Sequence, residues 1–152
     1  VTDAMLWDTG ADIAVYNNGG IRTHIAAGDI TVGDLYAVEP FGNSVVTVEL
    51  NKEQMEALFD HLAVWGGEQI AGGSYTVRDK KAYDVLVAGK PLEDRIYIVA
   101  ANDFMAAGGD DYDMLAAGQN HRYYDVVRDT FVRFLEANPA YEFKSEGRII
   151  KK

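Results

Sequence analysis

The chain contains no cysteine, which excludes disulfides, thiolate metal sites and thiol nucleophiles together. That absence does not fix the redox compartment, because a core of this size needs no covalent staples. Proline is scarce, with three in 152 residues, so each one marks a definite stop rather than a flexible tract. Basic residues are also few: 14 Lys and Arg against 24 Asp and Glu give a formal charge of −10. Such a balance argues against a nucleic-acid or anionic-membrane surface. A phosphate group would have to be held locally, by an arginine and backbone N–H groups. No apolar run approaches the roughly 20 residues of a membrane-spanning helix. The first residues, Val1-Thr2-Asp3-Ala4-Met5, show neither the basic nor the apolar region of a signal peptide. The chain opens without Met, in what reads as the middle of a helix, so a piece cut from a longer precursor is expected.

What is present fits one globular domain over residues 1–152, with 48% hydrophobic and 25% charged residues. Residues 2–9 read as the end of a helix stopped by Gly10, and 12–16 as a short apolar strand. Thr31 and Asp34 suit the cap of a helix running to Val38, which Pro40 closes. Residues 44–50 read as a strand, and Asn51 with Gln54 form a second capping box. In the helix that follows, Met55, Leu58, Phe59 and Leu62 recur at i, i+3, i+4 and i+7, before Gly66-Gly67 ends it. Strands are predicted over 69–78, 83–88 and 95–101, with a turn at Gly89-Lys90-Pro91. A last long helix is predicted over 121–137, carrying Tyr124, Val127, Phe131, Phe134 and Leu135 inward and stopping at Asn138-Pro139. Residues 146–150 read as a closing strand. The expected fold is a single α+β domain, a mixed β-sheet flanked by helices.

Two segments carry the chemistry. Asn17-Asn18-Gly19-Gly20-Ile21-Arg22 and Asn102 to Tyr112 each follow a predicted strand directly, where open sheets place ligand loops. Glycine lets backbone approach a ligand closely, Arg22 offers a bidentate fork for phosphate, and Phe104 and Phe41 offer flat faces. A ligand with a planar ring, hydroxyls and an anionic group, as in a nucleotide, suits that set. Taken alone, the residues leave other readings open. The first segment reads equally as a tight turn with a solvated arginine. Phe41 and Phe104 read as core plugs, and Asp110 as the cap of a short helix near Tyr112. His24, His61 and His121 share no metal-ligand spacing and read as lone surface histidines. Asp110-Asp111-Asp113 lacks the spacing of a calcium loop. No Ser/His/Asp arrangement is suggested, so neither a metal site nor a catalytic residue is expected in this chain.

At these residues the chain resembles the C-terminal, substrate-binding domain of the 5′-nucleotidase family, which includes UDP-sugar hydrolases. Asn17 to Arg22 is similar to the family's Asn-x-Gly-Gly-Ile-Arg loop, and Pro40-Phe41-Gly42-Asn43 to its Pro-Phe-Gly turn. Phe104 to Tyr112 resembles Phe-x-x-x-Gly-Gly-Asp-Gly-Tyr, with Asp111 in place of the last glycine. Thr2-Asp3-Ala4-Met5 and Glu146-Gly147-Arg148-Ile149 resemble the two ends of that domain. The resemblance implies that Phe41 and Phe104 sandwich a base, Asp110 holds ribose hydroxyls, Asn17 meets the base edge and Arg22 grips phosphate. Gly19, Gly20, Asn43, Gly108 and Gly109 complete the implied substrate-binding set. It also implies that chemistry belongs to an N-terminal metallophosphoesterase domain with two divalent metals, outside this chain, so that this chain alone hydrolyses nothing. The implied parent is a periplasmic, cell-surface or secreted hydrolase of 5′-nucleotides. A cyclic-nucleotide phosphodiesterase/3′-nucleotidase, a UDP-sugar hydrolase and a non-catalytic surface binding module are the alternatives. Asp111 is expected to take the left-handed backbone that glycine takes in the family loop.

Overall fold

The computed structural model describes residues 1–152. In chain order the elements are α1 (Thr2–Thr9), β1 (Ile13–Tyr16), α2 (Val32–Val38), β2 (Ser44–Leu50), α3 (Lys52–Val64), β3 (Gln69–Ala71), β4 (Gly73–Arg78) and β5 (Lys81–Val87). There follow β6 (Tyr97–Asn102), α4 (Asp103–Ala106), α5 (Asp113–Ala116), β7 (Gln119–Val126), α6 (Val127–Ala137) and β8 (Ile149–Lys151). The fold is α+β, with mixed sheets flanked by helices. One sheet has five strands in the order β3-β1-β6-β2-β7; a smaller one has three, β5-β4-β8.

Both expected capping boxes form. Thr31 Oγ1 accepts from the Asp34 N–H at 3.2 Å, and the Asp34 carboxylate accepts from the Thr31 N–H at 2.7 Å. Asn51 and Gln54 exchange the same pair of bonds at 2.8 and 3.0 Å. The period-2 alternation of the large sheet divides the core. Val46, Val48 and Leu50 of β2, with Ile13 and Val15 of β1, pack towards α3 and the small sheet. Val45, Ala14, Tyr16 and Ala100 point the other way, towards α1 and the start of α6. β1 is therefore buried on both faces, which is why it reads as an unbroken apolar run.

Two expectations fail in detail. The strand predicted over 69–78 breaks at Gly72, whose φ of +78° turns the chain out of one sheet and into the other. The helix predicted from 121 begins only at Val127. Residues 119–126 are instead a strand on the edge of the large sheet, pairing Val46 with Tyr123 and Thr47 with Arg122. Tyr124 thus packs from a strand, while Val127, Phe131 and Phe134 are the buried face of α6 and Leu135 is half-buried. Pairing with a distant strand outweighed local helical periodicity there.

The topology brings the motif loops together. β1 and β6 are parallel neighbours, with Ala14 opposite Ala100, so their C-terminal ends lie side by side. β2 runs antiparallel to β6, with Val45 opposite Asn102, so its N-terminal end arrives at the same place. The first glycine loop, the Pro40–Asn43 turn and the second glycine loop consequently meet at one end of the sheet.

Candidate functional site

At that end lies a cleft of about 280 Å³ lined by seven residues: Asn17, Gly19, Gly20, Phe41, Asn43, Phe104 and Asp110. All seven belong to the set read from the sequence. Arg22, Gly108 and Gly109 lie beside the cleft rather than on its wall. A larger groove of about 760 Å³ runs between residues 23–30 and 142–144, but it gathers none of the motif residues.

Each side chain has a local reason for its place. Gly20 ends the one-turn 3-10 segment Asn18–Gly20, and a Cβ there would sit 2.5 Å from the Tyr16 ring. Only glycine lets the loop fold down onto β1. Arg22 is tied by its backbone N–H to the Val38 carbonyl at 2.9 Å. Its guanidinium touches neutral groups, the Gly19 carbonyl at 3.4 Å and the Phe41 ring at 5.9 Å. Phe104 stands in the first turn of α4, capped by Asn102 through a bond from the Met105 N–H at 2.8 Å. Asp110 and Asp111 have φ of +53° and +62°, so the aspartate in the family's glycine position does take the left-handed backbone. Such geometry in two successive non-glycine residues is uncommon and strained.

A relay of amides joins the loops. Asn102 Nδ2 donates to Asn17 Oδ1 at 2.8 Å, and Asn17 Nδ2 donates to the Asp110 carboxylate at 3.2 Å. Asn17 is 5% exposed, and this leaves it one free amide hydrogen for a ligand. Behind the relay lies Glu68, 3% exposed and absent from the sequence reading. Its carboxylate accepts from the Asn18 N–H at 3.1 Å and from the Tyr112 hydroxyl, while its main-chain carbonyl accepts from the Tyr75 hydroxyl at 2.8 Å. Burial pushes the Glu68 carboxyl upward, opposed by the bonds from Tyr112 and Asn18 and aided by the nearby Asp110 charge. Tyr112 and Tyr16 are pushed up as well, first by burial and then by Glu68 and Glu39 respectively.

His61 corrects the reading of a lone surface histidine. Its Nε2–H donates to the Asp110 carbonyl at 2.7 Å, and its ring meets the edge of Tyr112 at 4.5 Å. With that proton committed, the Trp65 indole at 3.3 Å from the same nitrogen is a packing contact. A second buried carboxylate, Glu39, sits on the other flank, bonded by the Tyr16 hydroxyl at 3.3 Å. Its carbonyl accepts from Arg128 Nη1 at 3.0 Å. Neither glutamate carries a local signal in the sequence, since each is buried by contacts distant along the chain. No group of three or more His, Asp or Glu side chains is placed to hold a metal ion. No helix is long and apolar enough to cross a membrane.

Such a cleft has flat apolar faces, a carboxylate, amides and an unpaired guanidinium around one opening. Comparison with known proteins gives the arrangement a family. The 5′-nucleotidase of Vibrio cholerae is 35% identical over 92% of this chain, and protein UshA of Yersinia enterocolitica is 33% identical over 98% of it. A crystal structure of the 5′-nucleotidase precursor from Thermus thermophilus superposes on 99% of the chain with a TM-score of 0.88 and 33% identity. The chain spans 27%, 29% and 34% of those three proteins respectively. Since residues 1–117 match the model of the 5′-nucleotidase C-terminal domain, the chain belongs to the 5′-nucleotidase family.

Proposed function

We propose that this chain is the nucleotide-recognition part of a phosphohydrolase that converts a 5′-nucleotide to nucleoside and phosphate. In this reading Phe41 and Phe104 receive the base between them, and Asp110 accepts hydrogen bonds from the vicinal ribose hydroxyls. Asn17 and Asn43 offer amides to the base edge, and Arg22 meets the phosphate with a charge-assisted fork. The observation that carries the reading is that the residues lining the 280 Å³ cleft all come from the three motif loops. Base–aromatic stacking tolerates any base, so the cleft recognises a nucleoside rather than a particular one.

Bond breaking falls to a part of the parent protein that this chain does not span. There, two divalent ions held by a metallophosphoesterase domain would supply an activated water and neutralise phosphoryl oxygens. The residues present here form no such site. Their part is to hold the substrate in one orientation, which by itself lowers a barrier by several kcal/mol, of order 7–11 in favourable cases. A periplasmic, cell-surface or secreted setting accompanies this reading. The resemblance to a family that includes UDP-sugar hydrolases keeps a second reading, in which the nucleotide carries a sugar beyond its phosphates.

The test is a titration of the chain with adenosine and AMP followed by amide NMR shifts. Shifts centred on Asn17–Arg22, Phe41 and Phe104–Asp110 are expected, with Arg22 moving for AMP more than for adenosine. Shifts centred instead on the groove around Phe131 and Phe143 would overturn the reading.

A further inference from the structure

Glu68 is held where neither motif loop would place a carboxylate by accident. It is the residue at the entry to β3, distant in sequence from both loops, yet its two oxygens take one bond from each. Oε1 accepts from the Asn18 N–H at 3.1 Å, and Oε2 accepts from the Tyr112 hydroxyl. Asn18 adjoins Asn17, and Asn17 Nδ2 reaches the Asp110 carboxylate at 3.2 Å. Tyr112 lies two residues beyond Asp110 and packs its ring edge on His61, which holds the Asp110 carbonyl at 2.7 Å. The bonds therefore close a ring: Glu68 to Asn18, Asn17, Asp110, Tyr112 and back to Glu68. A second strut runs beside it, with Asn18 Nδ2 donating to the Gly67 carbonyl at 3.0 Å. Glu68 touches nothing that a ligand in the cleft would touch, since it is 3% exposed and absent from the cleft wall. It can act on a ligand only through the position of Asp110 and Asn17.

We infer that Glu68 is a positioning residue for ribose recognition, fixing the Asp110 carboxylate where it can accept from two vicinal hydroxyls. This rests on the nucleotide reading of the cleft. A carboxylate that must meet two hydroxyls at once needs its orientation set from behind, as outer partners set the ligands of a metal site. The closed ring provides that support from both ends of the Asn17–Asp110 contact. The flat faces that would receive the base are built on other contacts, so base recognition is separable from it. Glu68 is thus a determinant of specificity for nucleotides with intact 2′ and 3′ hydroxyls.

The test uses the intact parent enzyme and compares kcat/KM for AMP with that for 2′,3′-dideoxy-AMP. Glu68→Gln keeps the side-chain volume but puts an amide donor against one of the two donors that Glu68 now accepts. Loss of a charge-assisted bond is worth about tenfold or more, so the AMP to dideoxy-AMP ratio is expected to fall about tenfold. Tyr112→Phe removes only the hydroxyl from the same ring and is expected to lower the ratio in the same direction; it serves if Glu68→Gln does not fold. Phe104→Ala is the control, expected to lower both substrates alike. If Phe104→Ala acts so and the ratio is unchanged in the Glu68 and Tyr112 variants, Glu68 has no role in specificity and the inference is overturned. A Phe104→Ala enzyme that is unaffected on both substrates overturns the nucleotide reading itself, and the inference with it.

Discussion

The two phenylalanines that face the cleft are held in opposite ways. Phe104 stands on secondary structure: it follows the buried end of β6 and begins α4, with Met105 and Ala106 buried behind it. Gly109 closes over its ring so tightly that a Cβ there would lie 2.6 Å from two ring carbons and from the Phe104 carbonyl oxygen. Phe41 stands in a turn between Pro40 and Gly42, and is 56% exposed against 45% for Phe104. Its flanks are anchored, with the Asn43 carbonyl accepting from the Val127 N–H at 2.8 Å and the Glu39 carbonyl from Arg128 at 3.0 Å. Its ring lies 5.9 Å from the Arg22 guanidinium. One face of the cleft is packed from behind, and the other is expected to adapt on binding. An adaptable face loses about 0.5–1.5 kcal/mol of any contact to the ordering of its side chain, so equal rings need not give equal affinity.

Gly109 is where the packing of Phe104 is most vulnerable. Gly109→Ala forces the Phe104 ring and carbonyl away, and overpacking of that kind destabilises by about 1–3 kcal/mol. Thermal unfolding should register that loss, and adenosine binding by calorimetry should weaken beyond what Phe104→Ala produces. Next comes the pair of ring deletions. Phe104→Ala is expected to weaken nucleoside binding by about 1–3 kcal/mol, with fold stability nearly unchanged because the ring is so exposed. Phe41→Ala should weaken it less, by roughly the ordering term that Phe41 alone has to meet. Equal losses in the two variants would mean that Phe41 is as fixed as Phe104. A large drop in unfolding midpoint for Phe104→Ala, with binding intact, would make it a core residue.

A smaller change is expected at Glu68, which is bonded to Asn18 and Tyr112 and to neither phenylalanine. Its carboxyl is raised by burial above the ordinary value of 4.5. The folded state therefore keeps a proton that the unfolded state has lost, and unfolding free energy falls as pH rises from about 4.5 through the native value. Below that window the contribution is fully present, and above it the loss is complete. Urea unfolding at a series of pH values should show this slope in the native chain and lose it in Glu68→Gln. A slope that persists unchanged in the variant would assign it to another group.

What could be read from the sequence was whatever acts over a few residues. The boxes at Thr31/Asp34 and Asn51/Gln54 are three residues wide and formed as written. The glycine loops stood out through the order and spacing of motifs that resemble the family's, because the residues alone fit a tight turn and core aromatics equally well. The start of α6 was not legible. Residues 119–126 carry aromatic and charged side chains that fit a helix face or a strand equally, and a partner strand 70 or more residues away decided the matter. The same applies to the support of the site. Glu68, His61 and Asn102 are common residue types, and their contacts with Tyr112, Asp110 and Asn17 span 44, 49 and 85 residues. Nothing local distinguishes a glutamate that will be buried between two loops from one left in water.

The parallel pairing of β1 with β6 has a kinetic consequence. The two glycine loops of the cleft meet only through a register between strands about 86 residues apart, such as Ala14 with Ala100. Closing so long a span surrenders chain entropy before any contact repays it, and contacts of this kind form slowly. Local helices and the β4–β5 hairpin can form while the cleft is still two unrelated ends of chain. Ligand binding therefore reports on completion of the central sheet, and a nucleoside added during refolding should find its site only in the last resolvable phase.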